Sequence, residues 1–411
     1  MASPSPLAPE HIPTLSPVAG VSLASAHCGI RYKERRDLMM ALLAPGTTVA
    51  GVFTKSKTRG APVDWCRAGV KRGKARALVV NSGNSNTFTG KAGREVVTRT
   101  AGAMAKLAKC APTEVFIAST GVIGEPPPAD KIVNALPAMA KSAAGDGAAW
   151  RGAAEAILTT DTFPKLATRA AVIDGVTVTL NGFCKGSGMI APDMATMLAY
   201  LFTDAALPAR VLQDMLSAAN ERSFNCITVD GDTSTSDTVL LFATGQTKHK
   251  RVTRANDPRL RDFRRALDEV MIGLAQQIIR DGEGAQKFVT IRVSGATSAK
   301  AARAIGLAVG NSPLVKTAIS AGDANWGRIV MAVGKSGEAA DRDKLAISIG
   351  GVLITKDGGP VPGYVEAPVA EHMKGREIEI DVDLGLGRGK ATVWTCDLTH
   401  GYIDINGSYR S

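Results

Sequence analysis

Apolar and polar positions follow two rhythms along this chain, a two-residue alternation that suits half-buried strands and a three-to-four-residue one that suits amphipathic helices. Leu260, Phe263, Leu267, Val270, Met271, Leu274 and Ile278 predict a long helix ending near "RDGEGAQKF", which leaves Glu283 in a turn. "KFVTIRVSG" and "REIEIDVDLG" alternate and predict strands; between them "NSPLVKTAISAGDANWGRIVMAVG" reads as helix, glycine-broken loop and helix. Upstream, residues 171–173 and 176–180 flank Asp174-Gly175, a hairpin signal, and a flexible glycine-rich passage follows. "ARALVVNSGNSNTFTG" predicts a strand over 77–80, a loop of small polar residues, and a helix around 94–109. The unbroken apolar run 197–202 predicts a buried strand, with β-branched Thr196 at its opening.

Composition narrows the field. A chain of 411 residues that is 45% hydrophobic and 21% charged is soluble globular material with room for two or three packed units. The net charge of +11 is scattered and aromatics are only 5%, which argues against a nucleic acid partner. Six cysteines without a C-x-x-C pair, and five histidines that do not cluster with them, indicate neither a metal site nor a disulfide framework. "MASPSPLAPEHIPTLSP" lacks a basic region before an apolar core, and no stretch approaches the roughly 18 apolar residues of a membrane span, so a cytoplasmic protein without a membrane partner is expected. "CKGSGM" and "GLGRGKATVW" lack the frame and context of a phosphate loop, and neither a zinc-protease nor a serine-hydrolase motif is present.

What remains is a density of small hydroxyl and amide residues in "VNSGNSN", "IASTGVIG", "LTTDTFPK" and "FNCITVDGDTSTSDT", each of which taken singly is ordinary turn chemistry. Together with "KGSGMIAPDMATML", "NSPLVKTA", "GDANWGRI" and "WTCDLTHGYIDINGSYRS", these blocks make the chain closely resemble the ornithine acetyltransferases, the glutamate N-acetyltransferases of arginine biosynthesis, over nearly its whole length. The resemblance implies autocatalytic cleavage between Ala195 and Thr196, with Thr196 becoming an N-terminal nucleophile whose own α-amine, of reference pKa about 7.7 to 8.0, takes the hydroxyl proton. It further implies that Thr120 and Gly121 form the oxyanion hole. Thr162, Lys185, Thr196, Glu283, Asn406 and Ser411 would bind substrate, Lys185 at the α-carboxylate and Glu283 at the side-chain ammonium of ornithine. The chain departs from the family's usual residues at Cys226, Ser236, Ala324 and Ser411.

The implied reaction moves acetyl from N2-acetyl-L-ornithine to L-glutamate in ping-pong order, with no cofactor and with acetyl-CoA left open as a second donor. A self-processed amidohydrolase or aminopeptidase is the alternative. The implied fold is an α/β layered helix, sheet, sheet, helix sandwich with a smaller α/β C-terminal domain. Cleavage divides it into an alpha chain, 1–195, and a beta chain whose parts are 196–286 and 287–411, assembled as a heterotetramer of two of each.

Overall fold

The apolar run after Thr196 forms the strand Leu198–Ala205, every residue of it buried, in a computed structural model that describes residues 3–191 and 197–407. Its side chains leave alternately toward two cores. Leu198, Tyr200 and Phe202 join one apolar cluster, while Ala199 and Leu201 join another on the opposite face. A strand inside a sheet covered on both sides loses its hydrophobic alternation, which is why the run is unbroken.

This central sheet has the order Thr48–Phe53, Thr238–Thr247, Leu198–Ala205, Val176–Lys185, Lys165–Ile173. An outer sheet of Val21–Ala26, Leu38–Leu43, Ala77–Asn84 and Val115–Val122 packs face to face against it. Between the sheets, Phe202 stacks on Phe242 at 5.2 Å. Trp150, from the helix Gly147–Ala156, meets Phe202 and Phe183 edge-on at 5.3 and 6.2 Å. The helices Gly90–Ala108 and Ala129–Ser142 cover the far face of the outer sheet, and Ala209–Asn220 and Arg261–Arg280 cover the far face of the central one. The layers run helix, sheet, sheet, helix. Residues 288–396 add a six-stranded mixed sheet, with the helices Ala299–Gly310, Pro313–Ala321 and Trp326–Gly334 packed on its Val289, Ile291, Val293 face. The protein is therefore of the α/β class, and the smaller C-terminal unit has its own core.

Two elements run further than their sequence pattern predicts. The hairpin turns at Asp174 and Gly175, with φ of 53° and 81° as a type I′ turn requires, but its second strand continues through Gly182 to Lys185. Gly182 suits that place because Val270 and Leu274 of the covering helix press against it. Likewise Ala77–Asn84 extends through "NSGN", because it pairs in parallel with Val115–Val122 as far as Asn84 opposite Val122. The long helix, Arg261–Arg280, and the strands Phe288–Ala296 and Glu377–Asp383 fall where the periodicity puts them. Among the described residues no helix is long and apolar enough to cross a membrane.

The inter-sheet aromatics set the stability of the sandwich. Phe202→Ala should lower the unfolding free energy by about 3–5 kcal/mol in denaturant titrations, whereas Ile403→Ala, at a position 64% exposed, should change it by less than about 0.5 kcal/mol.

Candidate active site

At one end of the central sheet the strand Val176–Lys185 finishes while Leu198–Ala205 and Thr238–Thr247 begin, Leu198 pairing with both Lys185 and Thr238. A cavity of about 360 Å³ opens there, walled by Ser85, Thr120–Ile123, Thr159, Thr160, Lys185, Gly188, Met189, Ser234–Ser236, Glu283 and Asn406. Residues distant in the chain, Thr120, Gly121, Lys185, Glu283 and Asn406, thus meet as the sequence reading expects. Ala195, Thr196 and Ser411 lie outside the described residues.

Thr120 and Gly121 lie near the end of Val115–Val122. The Thr120 hydroxyl accepts a hydrogen bond from Lys185 Nζ at 3.3 Å, which leaves its own proton free to be donated into the cavity. Gly121 has φ +124° and faces Gly83 across the ladder; any side chain there would overlap the Gly83 backbone. Close approach of the two strands requires glycine at this point.

Lys185 is the last residue of its strand and is buried. Burial pushes its pKa below the ordinary lysine value, against the pull of Asp161. Asp161 accepts the Gly186 N–H at 2.6 Å and a hydrogen bond from Lys165 Nζ at 2.7 Å, and Lys165 reaches Asp281 at 2.6 Å. Burial favours the neutral Asp161, but the charges of Lys165 and Lys185 outweigh it and hold the carboxyl below the usual range. Burial likewise opposes the Lys165 ammonium, and its two carboxylate partners overcome that. Asp281 is pushed up by burial and by the neighbouring Asp161 charge, though Lys165 opposes both.

Glu283 sits in the turn after Arg261–Arg280 and donates its N–H to Ser187 O at 3.0 Å. Burial pushes its carboxyl up, countered by the side chains of Asn406 and Thr160. Asn406 donates to it at 2.7 Å. Gly188 lies so close that a side chain there would overlap the Glu283 carboxylate. Asn406 belongs to the helix His400–Asn406, which is tied down by Thr399 Oγ1 donating to Gly284 O at 2.7 Å and Tyr402 OH to Asp230 at 3.1 Å.

The structure does not bring Thr162 to the cavity wall. Its hydroxyl donates to Asp281 and accepts the Ser5 N–H at 2.8 Å, while Thr159 and Thr160 of the same block face the cavity. Sequence reasoning also passed over Lys165 and Asp281, although "TTDTFPK" and "RDGEG" were both in view. It passed over Asp237 as well, a wholly buried carboxyl just before the strand Thr238–Thr247. Its Oδ1 accepts the Met197 N–H at 2.9 Å, and among the described residues its buried Oδ2 has no hydrogen-bond partner. Burial pushes this carboxyl well above the ordinary range, opposed by the Met197 N–H, the Lys185 charge and the nearby Ser234 and Thr54 hydroxyls. The signal was there in "DTSTSDT": an acid at the mouth of an apolar strand has little room to be solvated. Among the described residues no group of His, Cys, Asp and Glu is arranged to hold a metal.

Fold and cavity together define a layered α/β protein with a pocket lined by hydroxyl residues, one buried lysine and one buried glutamate. The sequence matches the ArgJ family over residues 22–411. The arginine biosynthesis bifunctional protein ArgJ of Gluconobacter oxydans is 57% identical over 100% of this chain and 97% of its own length. Its namesake from Bradyrhizobium diazoefficiens is 55% identical over 100% of this chain and 99% of its own. The crystal structure of the Bacillus halodurans protein of that name, 40% identical, covers 50% of this chain and 96% of that one, with a TM-score of 0.48. The chain belongs to the ArgJ family, acetyltransferases of arginine biosynthesis.

The buried Asp237 carries a pH signature. An acid whose folded-state pKa lies above its unfolded value costs stability increasingly as pH rises from the unfolded pKa, about 3.9, toward the folded one. Asp237→Asn removes that cost and keeps an acceptor for Met197 N–H. Its melting temperature relative to wild type should therefore climb by roughly 2 °C between pH 5 and pH 8; a flat difference would mean that Asp237 ionises at its ordinary pKa.

Proposed function

We propose that this protein is a glutamate N-acetyltransferase that moves acetyl from N2-acetyl-L-ornithine to L-glutamate through an ester on Thr196, after cutting its own chain between Ala195 and Thr196. The observation that carries the reading is the convergence of an oxyanion-type pair, Thr120 and Gly121, with Lys185 and Glu283 on one cavity, at the strand end where the residues after Thr196 begin. In the first step the Thr196 hydroxyl attacks the Ala195 carbonyl carbon, the peptide nitrogen leaves as the new α-amine, and water hydrolyses the resulting ester. Before that cut the nitrogen is an amide and cannot act as a base. Afterwards the amine takes the Thr196 hydroxyl proton as the oxygen attacks the acetyl carbonyl.

The Thr120 hydroxyl and Gly121 N–H stabilise the oxyanion. Collapse breaks the amide bond, and ornithine leaves with the proton on its amine. Glutamate then binds in the vacated cavity, its neutral amine attacks the ester, and the Thr196 hydroxyl is regenerated. Lys185 meets the α-carboxylate of both amino acids, whereas Glu283 meets the δ-ammonium that only ornithine carries. Acetyl-CoA, where used, loads the same threonine from a thioester.

On a denaturing gel the wild-type protein should run as two pieces of similar size, the second beginning at Thr196, while Thr196→Ala stays whole and inactive. Active protein that begins only at Met1 or Ala2 would sink the self-cleavage. Release of free acetate from N2-acetyl-L-ornithine at the same rate with and without glutamate would instead mark a hydrolase. Supplying acetyl-CoA as sole donor tests the second loading route.

Glu283→Gln should raise KM for N2-acetyl-L-ornithine about tenfold to a hundredfold, through loss of one charge-assisted contact, and affect the glutamate half-reaction less. Equal losses in both halves would show that Glu283 organises the site in general.

A further inference from the structure

A buried ammonium next to a buried carboxylate should pair with it, since leaving either charge alone in a dry site is costly. Of the charges around Lys185, Asp161 acts on it most strongly. Yet Lys185 Nζ makes its one hydrogen bond among the described residues to a neutral hydroxyl, Thr120 Oγ1, at 3.3 Å. Asp161 is already taken. Its Oδ1 accepts from Lys165 Nζ at 2.7 Å and from Gly186 N–H at 2.6 Å, and its Oδ2 accepts from Thr159 N–H at 3.0 Å. Lys165 spends its other two N–H groups on Asp281 at 2.6 Å and Phe163 O at 3.3 Å, and its side chain is 0% exposed.

The hairpin register decides which lysine gets the carboxylates. Lys165 lies opposite Cys184, so it shares the Cys184 face of the central sheet, the face packed against Arg261–Arg280 and hence against Asp281. Lys185, one residue on, leaves from the other face, toward Thr120 of the outer sheet.

We propose that Lys165 is a positioning residue: by occupying Asp161 and Asp281 it keeps the Lys185 ammonium unpaired and available to a substrate carboxylate. The proposal rests on the reading that Lys185 binds the α-carboxylate of the two amino acids. With Lys165 absent, Asp161 would turn to Lys185 and compete with substrate for it. Asp281 lies among the residues of the other face and is not one of the charges acting most strongly on Lys185.

Two double variants separate this role from a structural one, because each removes Lys165 and one carboxylate and so leaves one buried acid. Lys165→Met with Asp281→Asn leaves Asp161 free beside Lys185; Lys165→Met with Asp161→Asn leaves the more remote Asp281. The first should bind L-glutamate in calorimetric titration, and N2-acetyl-L-ornithine by KM, about tenfold or more weakly than the second, with kcat values within roughly threefold. Equal affinities would overturn the proposal.

If the first variant fails to fold, the triple variant Lys165→Met, Asp161→Asn, Asp281→Asn decides. Having no competing carboxylate, it should bind glutamate within about tenfold of wild type, and a loss beyond about a hundredfold would overturn the role. Wild-type protein that binds glutamate but transfers no acetyl would count against the proposed function alone. Wild-type protein that binds no glutamate at all would remove both.

Discussion

A sheet with both faces dry cannot keep a charge anywhere along its length, and this constraint decides where the chemistry of the protein sits. The central sheet is pressed between aromatic packing on one side and two helices on the other. Its middle strand therefore carries only Leu, Ala, Tyr and Phe from Leu198 to Phe202, and its one charged residue, Asp204, comes next to last. One end of the sheet collects Lys185, Asp237 and, from the neighbouring elements, Thr120 and Glu283. The cavity is a by-product of close packing as much as a feature added to it.

At that end the ionisable groups are arranged by burial first and by partner second. Burial alone would neutralise every one of them. Asp161 and Lys165 escape because each has an opposite charge within hydrogen-bond distance, whereas among the described residues Asp237 and Glu283 have no cation so close and shift toward their neutral forms. Lys185 is intermediate, buried and attracted but, among the described residues, not bonded to a carboxylate.

Much of this was legible in the residues. The heptad-like spacing through Leu274 and Ile278 gave the long helix, and Asp174-Gly175 gave the hairpin, because both signals are local. Resemblance to a known family singled out Lys185, Glu283 and Asn406 and the layered fold, neither of which periodicity could supply. The strand extension through Gly182 was hidden, since a glycine there reads as flexibility until the Leu274 side chain that packs on it is known. Asp161, Lys165 and Asp281 were hidden for a similar reason: a lysine written in a sequence looks solvated, and only the tertiary fold brings it to carboxylates four and 116 residues away. Thr162 shows the converse, a hydroxyl in the right block whose bond to Asp281 turns it from the cavity while its neighbours Thr159 and Thr160 face in.

The strands Val176–Lys185 and Leu198–Ala205 are hydrogen-bonded neighbours, yet they lie on opposite sides of the Ala195–Thr196 bond. While that bond is whole, their pairing is a loop closure within one molecule. Were it cut, as proposed, the same pairing would become an encounter between two molecules, whose rate falls with dilution. Unfolding a cut protein would then be hard to reverse, because its halves would have to find each other again after assembling as one continuous chain. Its persistence would be a matter of kinetics, set by how slowly two interleaved halves of one sheet come apart.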